Sequence, residues 1–128
     1  MIDLSVIIVT WNSRRDMETC LSSIPRSAQR HTYEGLLVDN ASADDTVALS
    51  RRLMPSVCVL QNETNIGFAA ANNQGMAVAA GRYVCLLNPD TVLREHALDT
   101  LAEFLDAHPD VQACGPGMLN RDGTPQRT

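Results

Sequence analysis

Apolar runs and helical apolar stripes alternate along this chain. The runs LSVIIV, YEGLLVD, VCVLQN and RYVCLL are rich in β-branched residues and leucine, which is typical of strands covered on both faces. Between them, apolar residues recur at helical spacing or alanines predominate. Strands separated by single helices predict right-handed crossovers, and therefore an α/β domain with three α/β/α layers and a mostly parallel sheet.

Capping residues and prolines predict the ends of the first two helices. The first helix carries an apolar stripe at i, i+3, i+4 and i+7, with Ser13 as a candidate N-cap and Pro25 just past its end. The second is predicted from about residue 44 to residue 54, with Ser42 able to cap it and Pro55 to stop it.

The second half of the chain predicts two more helices and a further strand. Residues 69–80 are rich in alanine, and Gly81 is well placed as the C′ residue of that helix. Leucines at helical spacing predict a helix closed by Pro109. The segment VQACGPGML is expected to form a fifth strand interrupted at Gly-Pro-Gly, and NRDGT a turn.

Composition excludes several classes of protein. The chain has 128 residues, 45% of them apolar, enough for one domain with a real core. The formal charge of −5 argues against a nucleic acid as partner. The N-terminal apolar run is too short for a membrane span and lacks the basic residues of a signal peptide.

The cysteines are widely spaced and each lies in an apolar stretch: Cys20, Cys58, Cys85 and Cys114. Without a CxxC pair, a zinc site is not expected, and the four thiols are interpreted as buried packing residues. Reduced, buried thiols suit the cytoplasm.

Polar residues follow three of the predicted strands, where ligands bind in open parallel sheets. They are Thr10, Trp11 and Asn12 after the first strand, Asp39 and Asn40 after the second, and Asn88 and Asp90 after the fourth. Each has an ordinary alternative as a turn former or cap. Their occurrence at three strand ends favours a binding site at one edge of the sheet.

The first of these ends has no glycine-rich phosphate loop. The turn TWNSRRD contains no glycine, which excludes a dinucleotide-binding dehydrogenase and a P-loop enzyme. Trp11 could cover the sheet edge or stack on a planar base. Asp39 could accept hydrogen bonds from a base or a ribose.

The segment NETNIGFAAANNQG predicts a turn that leads directly into a helix. Gly67 permits a positive φ there, and the free N–H groups of a helix N-terminus favour anions such as a diphosphate. Asn72 and Asn73 are poor helix formers, so at least one of them is expected to face a ligand or a buried partner. The alternative is a simple helix cap with one buried amide.

Pro89 ends the fourth strand and leaves Asp90 beyond the sheet edge. One carboxylate suits Mg²⁺ or Mn²⁺ when substrate phosphates and water supply the other ligands. The alternative is that Asp90 caps the next turn with Thr91.

In chain order, these segments resemble the inverting family 2 glycosyltransferases with the GT-A fold. The segments LSVIIVTWNS, LLVDNASADDT, NETNIGFAAANNQG and GRYVCLLNPDT are similar to successive signatures of that family over nearly the whole chain. NIGFAAANNQG and LNPDT most resemble its rhamnosyltransferase-like branch, which builds bacterial surface polysaccharides. A rhamnose donor with a thymidine carrier would follow from that branch.

The resemblance implies a role for each matching position. The donor nucleotide would lie against Thr10, Trp11, Asn12 and Asp39, and its ribose, diphosphate or sugar near Asn65, Gly67 and Asn73. Asp90 would bind the metal as the last acid of the Asp-X-Asp motif. Asn88 takes the place of the first acid, which leaves strict metal dependence open.

The resemblance also implies a direct displacement at the sugar's anomeric carbon, with a carboxylate base taking the acceptor proton. In the family that base lies downstream, so residues 1–128 are expected to be a donor-binding part without a catalytic residue, its base beyond Thr128. A glycan or lipid-linked acceptor would give the whole enzyme a peripheral place at the inner face of the membrane, and exposed apolar surface would favour a homodimer. The alternatives are an inactive nucleotide-sugar-binding module and a flavodoxin-like signalling domain, which would bind Mg²⁺ at Asp39 without a nucleotide.

Overall fold

Strands and helices alternate through residues 1–127, which the computed structural model describes. The elements are β1 (Leu4–Thr10), α1 (Arg14–Ser27), β2 (Tyr33–Asp39), α2 (Thr46–Leu53), β3 (Cys58–Gln61), α3 (Phe68–Val78), β4 (Tyr83–Leu86) and α4 (Ala97–Ala107). None of the described helices combines the length and the apolar character needed to cross a membrane.

The four strands form one parallel sheet in the order β3-β2-β1-β4. The continuous apolar run of β1 is explained by its place inside the sheet, since Val6, Ile7 and Ile8 are all fully buried. β4 lies at one edge, where Val84 and Leu86 are exposed. The mostly parallel α/β sheet predicted from the sequence is confirmed.

Helices cover both faces of the sheet. Val6 and Ile8 pack with Met17 in the cluster under α1, α2 and α4, whereas Ile7 packs with Ala71 under α3. The chain moves from β1 to β2 and β3 in one direction and then crosses back to β4, so right-handed crossovers put α3 on the face opposite to α1 and α2. The result is the predicted three-layer arrangement.

The prediction that Pro25 lies past the end of α1 is wrong. Pro25 is inside the helix, which continues to Ser27. A proline removes its own N–H from the helix ladder, but Ile24 and Ser27 are fully buried. Packing of this last turn against the core outweighs the loss of one hydrogen bond.

Two predicted helix ends are also wrong. Ser42 does not cap α2, because its hydroxyl donates to Asp39 Oδ1 at 2.6 Å, while the N–H of Thr46 donates to Asp44 at 3.0 Å. α3 ends at Val78, before Gly81. The backbone of Gly81 instead passes so close to β1 that a Cβ there would lie 2.5 Å from the backbone nitrogen of Ser5.

The predicted fifth strand is absent from the described part of the chain. Residues 111–117 have no regular structure, and the segment contributes only an isolated bridge between Leu119 and Pro125. The segment is exposed and has no neighbouring strand with which to pair. The turn predicted at NRDGT is confirmed, with Gly123 at φ 85° and its N–H donating to the carbonyl of Asn120 at 2.9 Å.

The prediction of four buried thiols is half wrong. Cys20 is buried and Cys85 half-buried, but Cys58 on the edge strand β3 and Cys114 beyond α4 are exposed. All four are free thiols. An apolar neighbourhood in sequence does not bury a residue when its segment lies at the edge of the fold.

A buried carboxylate anchors the start of α4. Asp99 is fully buried and accepts hydrogen bonds from the backbone N–H groups of Gln29 and Arg30, both at 3.0 Å, and from Nδ1 of His31 and of His96, both at 2.9 Å. Burial acts to raise the pKa of Asp99, but the hydrogen bonds from His96, His31 and the two backbone groups outweigh it. The pKa therefore lies well below its ordinary value.

Candidate functional site

The carboxyl ends of β1, β2 and β4 meet at one edge of the sheet. Thr10 pairs with Asp39 at the ends of β1 and β2, and the last pair of β1 and β4 is Ile7 with Leu86. From β1 the chain forms β2 and β3 on one side of that strand and then returns to form β4 on its other side. The direction of strand order in the sheet therefore reverses between β1 and β4. A crevice outside such a reversal is where open α/β sheets bind ligands.

Asp39 organises the end of β2. Its side chain is 2% exposed and accepts hydrogen bonds from the Thr10 hydroxyl at 2.7 Å, the Ser42 hydroxyl at 2.6 Å and the Ser42 N–H at 2.9 Å. A carboxylate offers about four acceptor positions. One position therefore remains for a ligand, while one of the other three bonds ties β2 to the end of β1 and two hold the following loop in place.

The residues after β1 differ in what they expose. Thr10 is fully buried and supports Asp39, whereas Trp11 is 59% exposed at the sheet edge. Asn12 has a φ of 50°, and its Oδ1 accepts from the N–H of Ala43 at 2.7 Å. Of the three, Trp11 presents the largest free surface to a ligand.

Asn65 and Gly67 form the turn before α3. Gly67 has a φ of 88°, and its N–H donates to Asn65 Oδ1 at 2.9 Å. A Cβ at Gly67 would meet nothing within 4 Å, so its positive φ, and not crowding, favours glycine. The first N–H groups of α3 follow this turn and have no partner within the helix.

The two asparagines of α3 have different surroundings. Asn72 is buried and donates to the Phe68 carbonyl at 3.0 Å, whereas Asn73 is exposed. The expected buried amide is therefore Asn72, and Asn73 is free to meet a ligand.

Asn88 and Asp90 lie in an exposed turn after β4. The N–H of Thr91 donates to the Asn88 carbonyl at 3.1 Å, and within residues 1–127 the Asp90 carboxylate has no hydrogen-bond or ion-pair partner. The alternative in which Asp90 caps the turn is therefore not seen. A free carboxylate with an amide oxygen nearby in sequence fits a divalent cation that takes its other ligands from a substrate.

Asp39 and Asp90 follow strands that are not neighbours in the sheet. β2 and β4 lie on opposite sides of β1, so their ends are separated by about 10 Å, twice the spacing of neighbouring strands. Among residues 1–127, no group of three His, Cys, Asp or Glu side chains is arranged to hold a metal.

A groove of about 780 Å³ lies beside this edge, between α1 and α2. Its lining residues are Asn12, Arg14, Arg15, Glu18, Asp44, Leu49, Arg52 and Leu53. Charges of both signs line it, and of the predicted site residues it includes Asn12 alone. The candidate site is therefore the sheet edge and not this groove.

Three side-chain amides connect the ends of β2 and β3 to the turn before α3 and to α3 itself. No sequence motif marks them as a unit. Asn40 is buried, and its Nδ2 donates to the Gly67 carbonyl at 3.2 Å. Asn62 donates to Asn40 Oδ1 at 3.0 Å and forms a reciprocal pair with Gln74. The sequence had marked Asn40 as a strand-end residue and the segment that contains Asn62 and Gln74, but gave no sign that the three amides are bonded to one another.

The chain resembles solved glycosyltransferase structures. It matches S. aureus TarS, residues 1–349, in complex with UDP, with a TM-score of 0.76 and 26% identity over 84% of this chain and 33% of that one. It also matches the mannosyltransferase PcManGT from Pyrobaculum calidifontis in complex with GDP-Man and Mn²⁺, with a TM-score of 0.68 and 27% identity over 77% of this chain and 30% of that one. These likenesses confirm the predicted GT-A fold.

Sequence comparison agrees with the structures. The chain is 29% identical over 126 residues to TuaG of Bacillus subtilis, a protein named for glycosyl transfer in teichuronic acid biosynthesis. The aligned region covers 95% of this chain and 50% of TuaG. The chain thus spans half or less of these relatives. The family model described as glycosyl transferase family 2 matches residues 5–128, and the chain therefore belongs to that family.

Proposed function

We propose that residues 1–128 form the donor-binding part of a glycosyltransferase that uses a nucleotide-diphospho-sugar. The observation that supports this most directly is the carboxyl edge of the sheet, where an exposed indole, a carboxylate with one free acceptor position, the turn before α3 and a free carboxylate follow neighbouring strands. A nucleoside diphosphate needs these groups for its base, its ribose and its phosphates. Family membership and the nucleotide-bound complexes of similar proteins support the same reading.

Each residue then has a defined task. Trp11 stacks on the base, and Asp39 uses its remaining acceptor position for the base or ribose. Asn65 and Gly67 shape the turn that directs the first N–H groups of α3 toward the diphosphate, where their partial positive charge favours an anion. Asn73, exposed on the same helix, contacts the donor.

Asp90 would hold Mg²⁺ or Mn²⁺ together with oxygen atoms of the donor, and the Asn88 amide is the second candidate ligand. The bound cation would supply positive charge against the diphosphate as it departs. The chain's own residues bind and orient the donor, whereas the base that takes the acceptor proton lies outside residues 1–128. Transfer with inversion to a glycan or lipid-linked acceptor is therefore a property we assign to a longer enzyme.

The donor and the setting follow from the same proposal. Rhamnose on a thymidine carrier is the donor we infer from the LNPDT and NIGFAAANNQG segments, and polysaccharide synthesis agrees with the name of TuaG. Free, exposed thiols at Cys58 and Cys114 suit a reducing cytoplasm, and a lipid-linked acceptor would bring the enzyme to the inner face of the membrane.

Calorimetry with UDP, dTDP and GDP, each with and without Mn²⁺, tests the proposal. We expect binding of at least one nucleotide and an affinity about 10-fold lower for Asp90→Ala in Mn²⁺, since the change removes the carboxylate of the metal site. Asp110→Ala is a matched control, because Asp110 also follows a proline in an exposed turn closed by an N–H to carbonyl bond. Absence of binding, or equal losses for the two variants, would overturn the metal-diphosphate site.

The signalling-domain alternative makes a different prediction for Asp39. It requires Mg²⁺ at that carboxylate without a nucleotide, but three hydrogen bonds leave Asp39 a single acceptor position, and among residues 1–127 no group of three His, Cys, Asp or Glu side chains is arranged to supply further ligands. We expect Asp39→Asn to weaken nucleotide binding and leave Mg²⁺ titrations in the absence of nucleotide unchanged. A Mg²⁺ signal that disappears in this variant would favour the signalling domain instead.

A further inference from the structure

Three side-chain amides form a continuous network behind the sheet edge. Gln74 Nε2 donates to Asn62 Oδ1 at 2.9 Å, and Asn62 Nδ2 donates to Gln74 Oε1 at 2.8 Å. Asn62 Nδ2 also donates to Asn40 Oδ1 at 3.0 Å, and Asn40 Nδ2 donates to the Gly67 carbonyl at 3.2 Å. The network therefore joins the ends of β2 and β3 to α3 and to the turn before it.

The backbone fixes this network to the strands. The N–H of Asn40 donates to the Thr10 carbonyl at 2.8 Å, and the N–H of Asn62 donates to the Asp39 carbonyl at 2.8 Å. Both side chains thus start from rigid strand ends, one of them beside the residue assigned to the base or ribose. The Gly67 carbonyl also accepts the N–H of Ala71 at 3.2 Å, within the first turn of α3.

We propose that Asn62 and Gln74 are positioning residues for the donor diphosphate, acting through Asn40. This inference rests on the proposed function, because it assigns the first turn of α3 to the diphosphate. Asn40 holds the Gly67 carbonyl, and Asn62 with Gln74 holds the Asn40 amide in the orientation that presents Nδ2 to that carbonyl. Neither Asn62 nor Gln74 needs to touch the donor.

The network suits this task better than ordinary core packing does. Asn62 and Gln74 are half-buried at the sheet edge, away from the two apolar clusters. Their reciprocal pair uses both polar atoms of each amide, so an apolar side chain of similar size at either position breaks the pair. The turn at Gly67 would then keep its backbone conformation but lose its fixed distance from the end of β2.

The test compares a nucleoside diphosphate with its nucleoside on the ¹⁵N-labelled chain. The diphosphate is whichever of UDP, dTDP and GDP binds the unmodified chain most tightly in Mn²⁺. We expect Gln74→Leu to lower the affinity for the diphosphate about 5-fold, the usual effect of one neutral hydrogen bond. The affinity for the nucleoside should stay unchanged, and the diphosphate-induced shifts of the amide signals of residues 68–70 should shrink.

Two further variants make the outcome decisive. Gln74→Glu, which keeps a polar side chain but loses the donor to Asn62 Oδ1, should show the same selective loss, and Gln112→Leu at an exposed position should show none. Unchanged diphosphate affinity, or equal losses for diphosphate and nucleoside, would overturn the positioning role while the proposed function stands. If the unmodified chain binds none of the three diphosphates, the proposed function itself fails.

Discussion

Replacement of Asp99 by alanine should strongly destabilise the fold, although Asp99 is remote from the candidate site. The buried carboxylate accepts four hydrogen bonds, two from the backbone of Gln29 and Arg30 and two from the imidazoles of His31 and His96. Alanine would leave all four donors without their acceptor. The loop between α1 and β2 would also lose its connection to α4.

The size of the effect follows from the charge of the acceptor. A hydrogen bond to a charged group contributes about 1.5–3 kcal/mol, but Gln29 and Arg30 lie at the surface, where water can replace part of the loss. We therefore expect Asp99→Ala to lower the free energy of unfolding by about 3–5 kcal/mol, as when one partner of a buried pair is removed. Asp99→Asn keeps one oxygen acceptor and should cost about half as much.

The lowered pKa of Asp99 sets the pH dependence. A carboxylate whose pKa is lower in the folded state stabilises the fold above its unfolded pKa, near 4, and this contribution is lost as the pH falls toward the folded value. The difference in unfolding free energy between the unmodified chain and Asp99→Asn should therefore shrink as the pH falls below about 4.

Urea unfolding followed by circular dichroism measures these differences, since the single tryptophan, Trp11, is largely exposed and is a weak fluorescence reporter. Asp110→Asn, at an exposed turn, is the control and should change the free energy by less than about 0.5 kcal/mol. A loss below about 1 kcal/mol for Asp99→Ala, or a pH-independent difference for Asp99→Asn, would refute the reasoning.

Two further predictions concern thiols and glycines. Burial, with a contribution from the charge of Asp90, raises the pKa of the Cys20 thiol to about 12. Ellman's reagent at pH 8 should therefore modify the exposed Cys58 quickly and Cys20 only on unfolding. Rapid modification of Cys20, read by peptide mass spectrometry, would contradict this. Gly81→Ala should lower the free energy of unfolding by about 2–3 kcal/mol, because the new Cβ would lie 2.5 Å from a backbone nitrogen of β1. Gly35→Ala should lower it less, because its Cβ meets the flexible Met54 side chain. Equal losses in urea unfolding would show that the β1 backbone yields as easily as that side chain.

The sequence by itself predicted the four strands of the sheet and placed the candidate site at their carboxyl ends. A continuous apolar run such as that of β1 is stable only when both faces are covered, so the runs predicted a parallel sheet between helices. Polar residues after such runs must lie at the carboxyl edge, because parallel strands all end on the same side. The pattern alone therefore predicts Asp39 and Asp90 at the same edge of the sheet.

Tertiary structure decided which of those polar groups are free. The Thr10 hydroxyl donates to Asp39, which is distant in sequence, and Ser42 of the following loop occupies two further acceptor positions of that carboxylate, whereas the Asp90 carboxylate remains exposed. Asn72 and Asn73 are identical neighbours in sequence, yet one is buried and the other exposed, because only one of the two side chains faces the sheet.

Edge effects and long-range contacts explain the remaining differences. The apolar residues of 111–119 predicted a strand, but no strand edge lies beside them in the described chain, so the segment has no partner. The amides of Asn40, Asn62 and Gln74 come from three separate elements and meet only when α3 packs beside the ends of β2 and β3. Local sequence patterns show the apolar character and the periodicity of a segment. The packing of distant segments determines which partner a polar side chain meets.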